Sequence, residues 1–179
     1  ILTKTFHMNE TYSGAIMAAD NILALFLLPL FGALSDKSKS KMGRRMPFIL
    51  FGTGAAIILM NILPILDNGY AAAPSGFKTA SFVIVLGLLL VAMGTYRSPA
   101  VALMPDITPK PLRSKGNAII NLMVAVGGII YLGVAAVMYP NSKVAGLAHV
   151  NYQPLFIVVA SIMFVSVGVL FLTIKEPKL

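Results

Sequence analysis

The sequence contains no cysteine, which excludes both a disulfide framework and a thiolate metal site. With only two histidines, His7 and His149, set far apart in the chain, no metal-ligand cluster is expected, and nothing else in the sequence calls for a cofactor. Charge is also scarce. Charged residues make up 11% of the 179 positions and hydrophobic residues 58%, whereas about a quarter of the residues of a soluble domain are charged. The chain is therefore read as a membrane protein. Its net charge of +8 does not point to nucleic acid, because that function needs bases gathered on one water-exposed face. Here they lie in short gaps between apolar runs. No signal-peptide pattern is present, and a start at Ile1 rather than Met implies that the natural N-terminus lies further upstream.

Five segments are long enough to cross a hydrocarbon core, which takes about 20 apolar residues. They run over 12–34, 46–66, 79–104, 117–139 and 152–174. Unpaired backbone amides are so costly in lipid that each should be an α-helix, giving an all-α membrane bundle that occupies the whole of 1–179. The gaps between them, such as DNGYAAAPSG and YPNSK, carry the Gly, Pro, Asn and Ser of turns. Cytoplasmic loops collect Lys and Arg. Placing the 32–45 loop inside puts ten bases there against three outside, so the chain is expected to start outside and end inside. The tripeptide Asn9-Glu10-Thr11 spells a glycosylation sequon on the outer side, a pattern too common to carry weight.

The stretch GALSDKSKSKMGRRMPFIL, Gly32 to Leu50, packs one acid and five bases between two of these spans. Topology would accept any cluster of bases, yet this loop has a more specific grammar. Gly32 at a span end permits close helix approach, and Gly43 suits a turn that a residue with a Cβ resists. Asp36 can accept charge-assisted hydrogen bonds from an Arg of a neighbouring loop, a latch that holds when two helix bundles are close.

GxLSDK followed by GRR resembles the loop between the second and third helices of major facilitator superfamily transporters. In most of that superfamily the Gly follows the Asp within three residues; here Lys37 to Met42 intervene and Pro47 follows. That longer form resembles the glycoside–pentoside–hexuronide branch, especially sucrose-type proton symporters and their bacterial relatives. YRSPAVALMPDITPKPLRSKGNAIIN, Tyr96 to Asn121, resembles the sucrose-type signature through Arg97, Pro99, Ala102, Leu103, Asp106, Thr108, Pro109, Arg113, Asn117 and Ala118. MAADNILALFLLPLFG, with Asp20, Asn21 and Pro29, resembles the second helix of bacterial members. The resemblance implies that the five spans are helices two to six of a twelve-helix transporter, with Glu176 at the entry to the central loop. The first helix and the C-terminal half would then be partners from the same protein. It also implies a bacterial inner membrane.

Asp20 and Arg97 are the two full charges that the span boundaries place deep in lipid, at a cost of about 2.5–3.5 kcal/mol each on insertion scales. Each should face protein or a water-filled cavity. Asp20 lies 16 residues before Asp36, about 24 Å along a helix, and Arg97 nine residues before Asp106, about 14 Å. The two thus differ in depth by roughly 10 Å, and a direct salt bridge is not assumed. Asp20 reads either as a protonatable carboxylate that couples proton movement to substrate or as an acid paired structurally with helices outside this chain. Arg97, beside the carbonyl that Pro99 frees at Thr95, reads as a donor fork for sugar hydroxyls or as a structural cap. Asn117 and Asn121, on one helix face, bind hydroxyls or pair helices. Gly52, Gly54, Gly94, Gly127, Gly128 and Gly133 are read as sites of close helix packing. The cation-binding acids of sodium-coupled melibiose-type relatives would fall near Ala24 and Leu28, which are apolar here. Proton coupling is favoured by that elimination.

An intramembrane protease is not expected, since neither a Ser–His pair nor two acids stand at one depth. A drug–proton antiporter shares the Asp and Arg loop but not the insertion between Asp36 and Gly43, and a non-transporting membrane fragment would not need Asp20 or Arg97. The reading reached is a sugar or glycoside symporter driven by protons, working by alternating access. Asp20, Asn21, Arg97, Asn117 and Asn121 would serve substrate and coupling. Gly32, Asp36, Gly43, Arg44, Arg45, Asp106 and Arg113 would form an inner conformational latch.

Overall fold

The computed structural model describes residues 5, 6, 9–38, 40, 42–144, 146, 147 and 149–174; the side chains of residues 17, 20 and 141 lie outside that description. Among the described residues the structure is helical, without strands: α1 (Glu10–Lys37), α2 (Met46–Ala72), α3 (Gly76–Ile107), a 3-10 turn (Lys110–Leu112), α4 (Arg113–Met138), the short α5 (Asn141–Val144) and α6 (Gln153–Thr173). The five longer helices are long and apolar enough to cross a membrane, so the expected all-α membrane bundle is what forms.

Local chemistry sets the helix starts. Asn9 caps α1, its Oδ1 accepting from the Thr11 amide at 3.4 Å. Pro47 and Pro154 occupy the first turns of α2 and α6, where a missing N–H is harmless. Interior prolines Pro64 and Pro99 are fully buried, so neighbouring helices enclose the backbone that they leave unpaired.

One boundary differs from expectation. Asp-Asn-Gly reads locally as a turn, yet α2 runs on past Leu66 to Ala72. Lys78, at the start of α3, supplies the reason: its Nζ donates to the carbonyls of Gly69 and Ala73, both at 2.8 Å. A cation on the last carbonyls of a helix also favours the negative end of its dipole.

Packing runs in a row, α1 on α3, α3 on α2 and α2 on α6, with α4 making slight contact with α3, α6 and the 3-10 turn. The core lies between α2 and α3, where Ala56, Leu63, Phe82, Leu89 and Ala92 gather around Phe6. At the α2–α3 crossing a Cβ on Gly52 would lie 2.9 Å from both Cβ and N of Tyr96, so glycine sets the helix separation. Gly94 makes the same close approach to Leu27 of α1, at 3.2 Å. Gly54, Gly127, Gly128 and Gly133 face open space instead. For the last three the reason is that α4 buries none of its residues within this chain.

Candidate functional site

The loop from α1 to α2 closes on itself. Gly43 takes φ 107°, a region that L side chains resist, and its amide donates to Ser40 O at 3.1 Å. Ser35, fully buried, donates to Gly32 O at 2.8 Å. This turn delivers Arg45 to the N-cap of α2, at the level where α1 and α3 both end. Arg45 Nη2 meets Asp36 Oδ1 at 2.9 Å and its Nε donates to Asp106 Oδ2 at 2.5 Å. Its side chain is 10% exposed, against 27% for Asp106 and 56% for Asp36. One guanidinium therefore bridges the ends of three helices, a use to which its rigid donor fork is suited.

Of the residues expected in a latch, Asp36, Arg45 and Asp106 are thus brought together. The pairing differs from the expected one, because the arginine that Asp36 holds belongs to its own loop rather than to a neighbouring bundle. Arg44 is half-buried and has no hydrogen bond or ion pair with another described residue. Arg113 is exposed, and among the described residues its side chain reaches only Thr108 O, at 3.4 Å. Gly32 contributes through packing: a Cβ there would sit 3.0 Å from Ser98 Oγ of α3.

The expected substrate residues are not gathered in the same way. Arg97 on α3 is exposed, as are Asn21 on α1 and Asn117 and Asn121 on α4, and no hydrogen bond joins them among the described residues. Arg97 was expected to face protein or a water-filled cavity; among the described residues no helix covers its side of α3. Asp20 lies on α1, and its side chain falls outside the described residues, as does the whole of Glu176.

A further charge escaped the sequence reading. Asp67 lies on the extended end of α2 and is fully buried, with His149 Nε2 at 3.9 Å from its Oδ2. Its Asp-Asn-Gly context signals a turn and so hid it; Lys78, placed to cap a helix end, was the available sign that α2 continues.

A glycine turn, an arginine set between two acids and a bundle of apolar helices coincide here with a match to the family model for the Major Facilitator Superfamily over residues 1–179. The chain belongs to that superfamily. Among its superfamily relatives, it is 33% identical over 141 residues to sucrose transport protein SUC3 of Arabidopsis thaliana, an alignment covering 71% of this chain and 23% of the relative. Sucrose transport protein SUT3 of Oryza sativa subsp. indica is 35% identical over 141 residues, covering 71% and 28%. Alpha-ketoglutarate permease of Escherichia coli (strain K12) is 32% identical over 161 residues, covering 89% and 34%. The matched parts make up about a quarter to a third of those superfamily proteins. No solved structure matches. Superfamily membership and five apolar helices together make this an integral membrane protein.

Proposed function

We propose that the protein to which this chain belongs carries a sugar or glycoside across the membrane together with protons, by alternating access between two helix bundles. The observation that supports this most is the likeness to sucrose transport proteins over 71% of the chain at 33–35% identity. The Arg45 end is then the cytoplasmic one, following the bases, and the membrane is a bacterial inner membrane. The exposed face of α4 and the cleft of about 520 Å³ between α4 and α6, lined by Tyr131, Tyr139, Tyr152 and Phe156, would receive the first helix. The C-terminal half would cover Arg97, Asn117 and Asn121.

In this reading Arg45 acts within its own half, holding α1, α2 and α3 as one rigid end. Arg44 and Arg113 are then the donors that meet acids of the opposite half when the cytoplasmic side closes. Asp20 takes up the proton, and Arg97 with the three asparagines Asn21, Asn117 and Asn121 supplies donors to substrate hydroxyls. If Arg44→Gln combined with Arg113→Gln leaves the transport rate unchanged, the latch reading fails.

A second reading rests on the alignment with alpha-ketoglutarate permease, which covers 89% of the chain. A guanidinium fork such as Arg97 matches a carboxylate as well as it matches hydroxyls, so the substrate would then be an organic dicarboxylate. The test is the external pH change on adding glucosides, sucrose or dicarboxylates to de-energised cells that express the complete protein or its Asp20→Asn variant. Alkalinisation with a sugar, lost in Asp20→Asn, is the expected result. A response to dicarboxylates alone would replace the sugar reading, and silence across the panel would overturn both.

A further inference from the structure

The end of α2 opposite Arg45 holds a buried acid that the transport reading does not use. Asp67 has no exposed surface, and neither carboxylate oxygen has a hydrogen-bond partner among the described residues. A carboxylate so placed is strongly unfavourable unless a proton or a cation neutralises it. Among the described residues the ionisable side chain that pairs with it is His149, whose Nε2 stands 3.9 Å from Asp67 Oδ2.

The hydrogen-bond chain around His149 determines where its protons sit. Asn151 Oδ1 accepts from the Gln153 amide at 2.9 Å, which orients the Asn151 side chain. The same oxygen accepts from Asn68 Nδ2 at 2.9 Å, so Asn68 must turn its own Oδ1 toward His149. At 2.8 Å from that oxygen, His149 Nε2 has to be the donor. The remaining nitrogen, Nδ1, lies 3.4 Å from Thr5 Oγ1. A threonine hydroxyl can donate to a neutral imidazole or accept from a charged one. A proton can therefore be added at Nδ1 with only a hydroxyl rotation, and the resulting imidazolium neutralises Asp67.

Three features of the fold tie this pair to the surrounding chain. Thr5 is buried, and the adjacent Phe6 packs its ring on Tyr70 and Phe82, with centroids 4.3 and 4.5 Å away. Val150, beside His149, is 8% exposed. Tyr139 donates to Asn151 O at 2.8 Å, anchoring the segment before α6 to the end of α4. Other ionisable groups nearby are committed or neutral: Lys78 is held by two helix carbonyls, and Tyr70, Tyr139 and Tyr152 are phenols. Lys4 and His7 lie outside the described residues.

We infer that Asp67 and His149 form a proton-binding site, distinct from Asp20, that fastens residues 5–6 and the segment leading into α6 to the end of α2. With one proton shared by the pair the site is neutral and closed. When that proton leaves for solvent the buried carboxylate is left uncompensated, and the covering segments open to hydrate it. The inference holds whichever substrate is carried.

The absence of cysteine from this chain allows a direct test. In the complete transporter, purified in detergent and with any cysteines elsewhere replaced, Val150→Cys reports opening through its rate of maleimide labelling. Leu147→Cys, at a position 56% exposed, supplies the reference rate at each pH and corrects for thiol ionisation. The Val150→Cys to Leu147→Cys rate ratio is expected to rise about tenfold from pH 5.5 to pH 8. With Asp67→Asn, which removes the need for the proton, the ratio should stay low throughout. A ratio independent of pH, or the same rise in Asp67→Asn, would overturn the inference. If Asp67→Asn yields no folded protein, His149→Gln decides: opening should move to lower pH, and an unchanged midpoint would overturn it equally.

Discussion

Arg45 serves two acids, and its surroundings make them unequal. The bond to Asp106 is 2.5 Å long between side chains 10% and 27% exposed, whereas Asp36, at 2.9 Å, is 56% exposed. A hydrogen bond to a charged group in a largely dry setting contributes about 1.5–3 kcal/mol. A pair with one partner mostly in water contributes about 0.2–1 kcal/mol. Double-mutant cycles that combine Arg45→Met with Asp106→Asn or with Asp36→Asn isolate these couplings. The Arg45–Asp106 coupling should be at least about twice the Arg45–Asp36 coupling. The measurement is denaturant unfolding of the complete protein in detergent, followed by helical circular dichroism, with slopes compared to confirm that only stability has changed. Raising salt should weaken the Asp36 coupling and leave that of Asp106 nearly unaltered, because screening acts mainly on exposed charges. A coupling to Asp36 equal to or greater than that to Asp106 would refute the reasoning, and with it the view that Arg45 joins α2 chiefly to α3.

Gly52→Ala should destabilise by about 1–3 kcal/mol, since its Cβ would meet backbone and Cβ of Tyr96 at 2.9 Å, while Gly54→Ala, facing open space, should be neutral or slightly stabilising; parallel thermal melts check the contrast. Phe6→Ala removes a ring packed on Tyr70 and Phe82 and should cost about 3 kcal/mol, read by the same melts. Gly43→Ala forces a Cβ into φ 107° and should cost about 1–2 kcal/mol; Gly43→Asn, which tolerates that region better, should cost less. Lys78→Met leaves the Gly69 and Ala73 carbonyls without their cation, and amide exchange should accelerate in the last turn of α2 while the helix centre stays protected.

Membrane character and helix number were legible from the residues because both depend on properties that accumulate along a stretch of chain. Apolar length and the cost of unpaired amides in lipid need no knowledge of neighbours. The turn at Gly43 was legible for the same local reason. Helix ends were less so: Asp67-Asn68-Gly69 carries turn residues, and α2 passes through them because Lys78 caps its carbonyls from the next helix.

Which charges meet was a matter for tertiary structure alone. The loop after the first span and the Tyr96–Asn121 resemblance together pointed to Asp36, Arg44, Arg45, Asp106 and Arg113 as a set, yet only the packing of α1 and α3 against the start of α2 selects Arg45 over Arg44. That choice depends on residues 61 positions apart coming within hydrogen-bond reach, and periodicity carries no information at such a distance. The approach of His149 to Asn68 across 81 positions is of the same kind. Hydropathy and turn chemistry act residue by residue and can be read in order. A buried ion pair is decided by the position of every helix between its partners, and it exists only once they have packed.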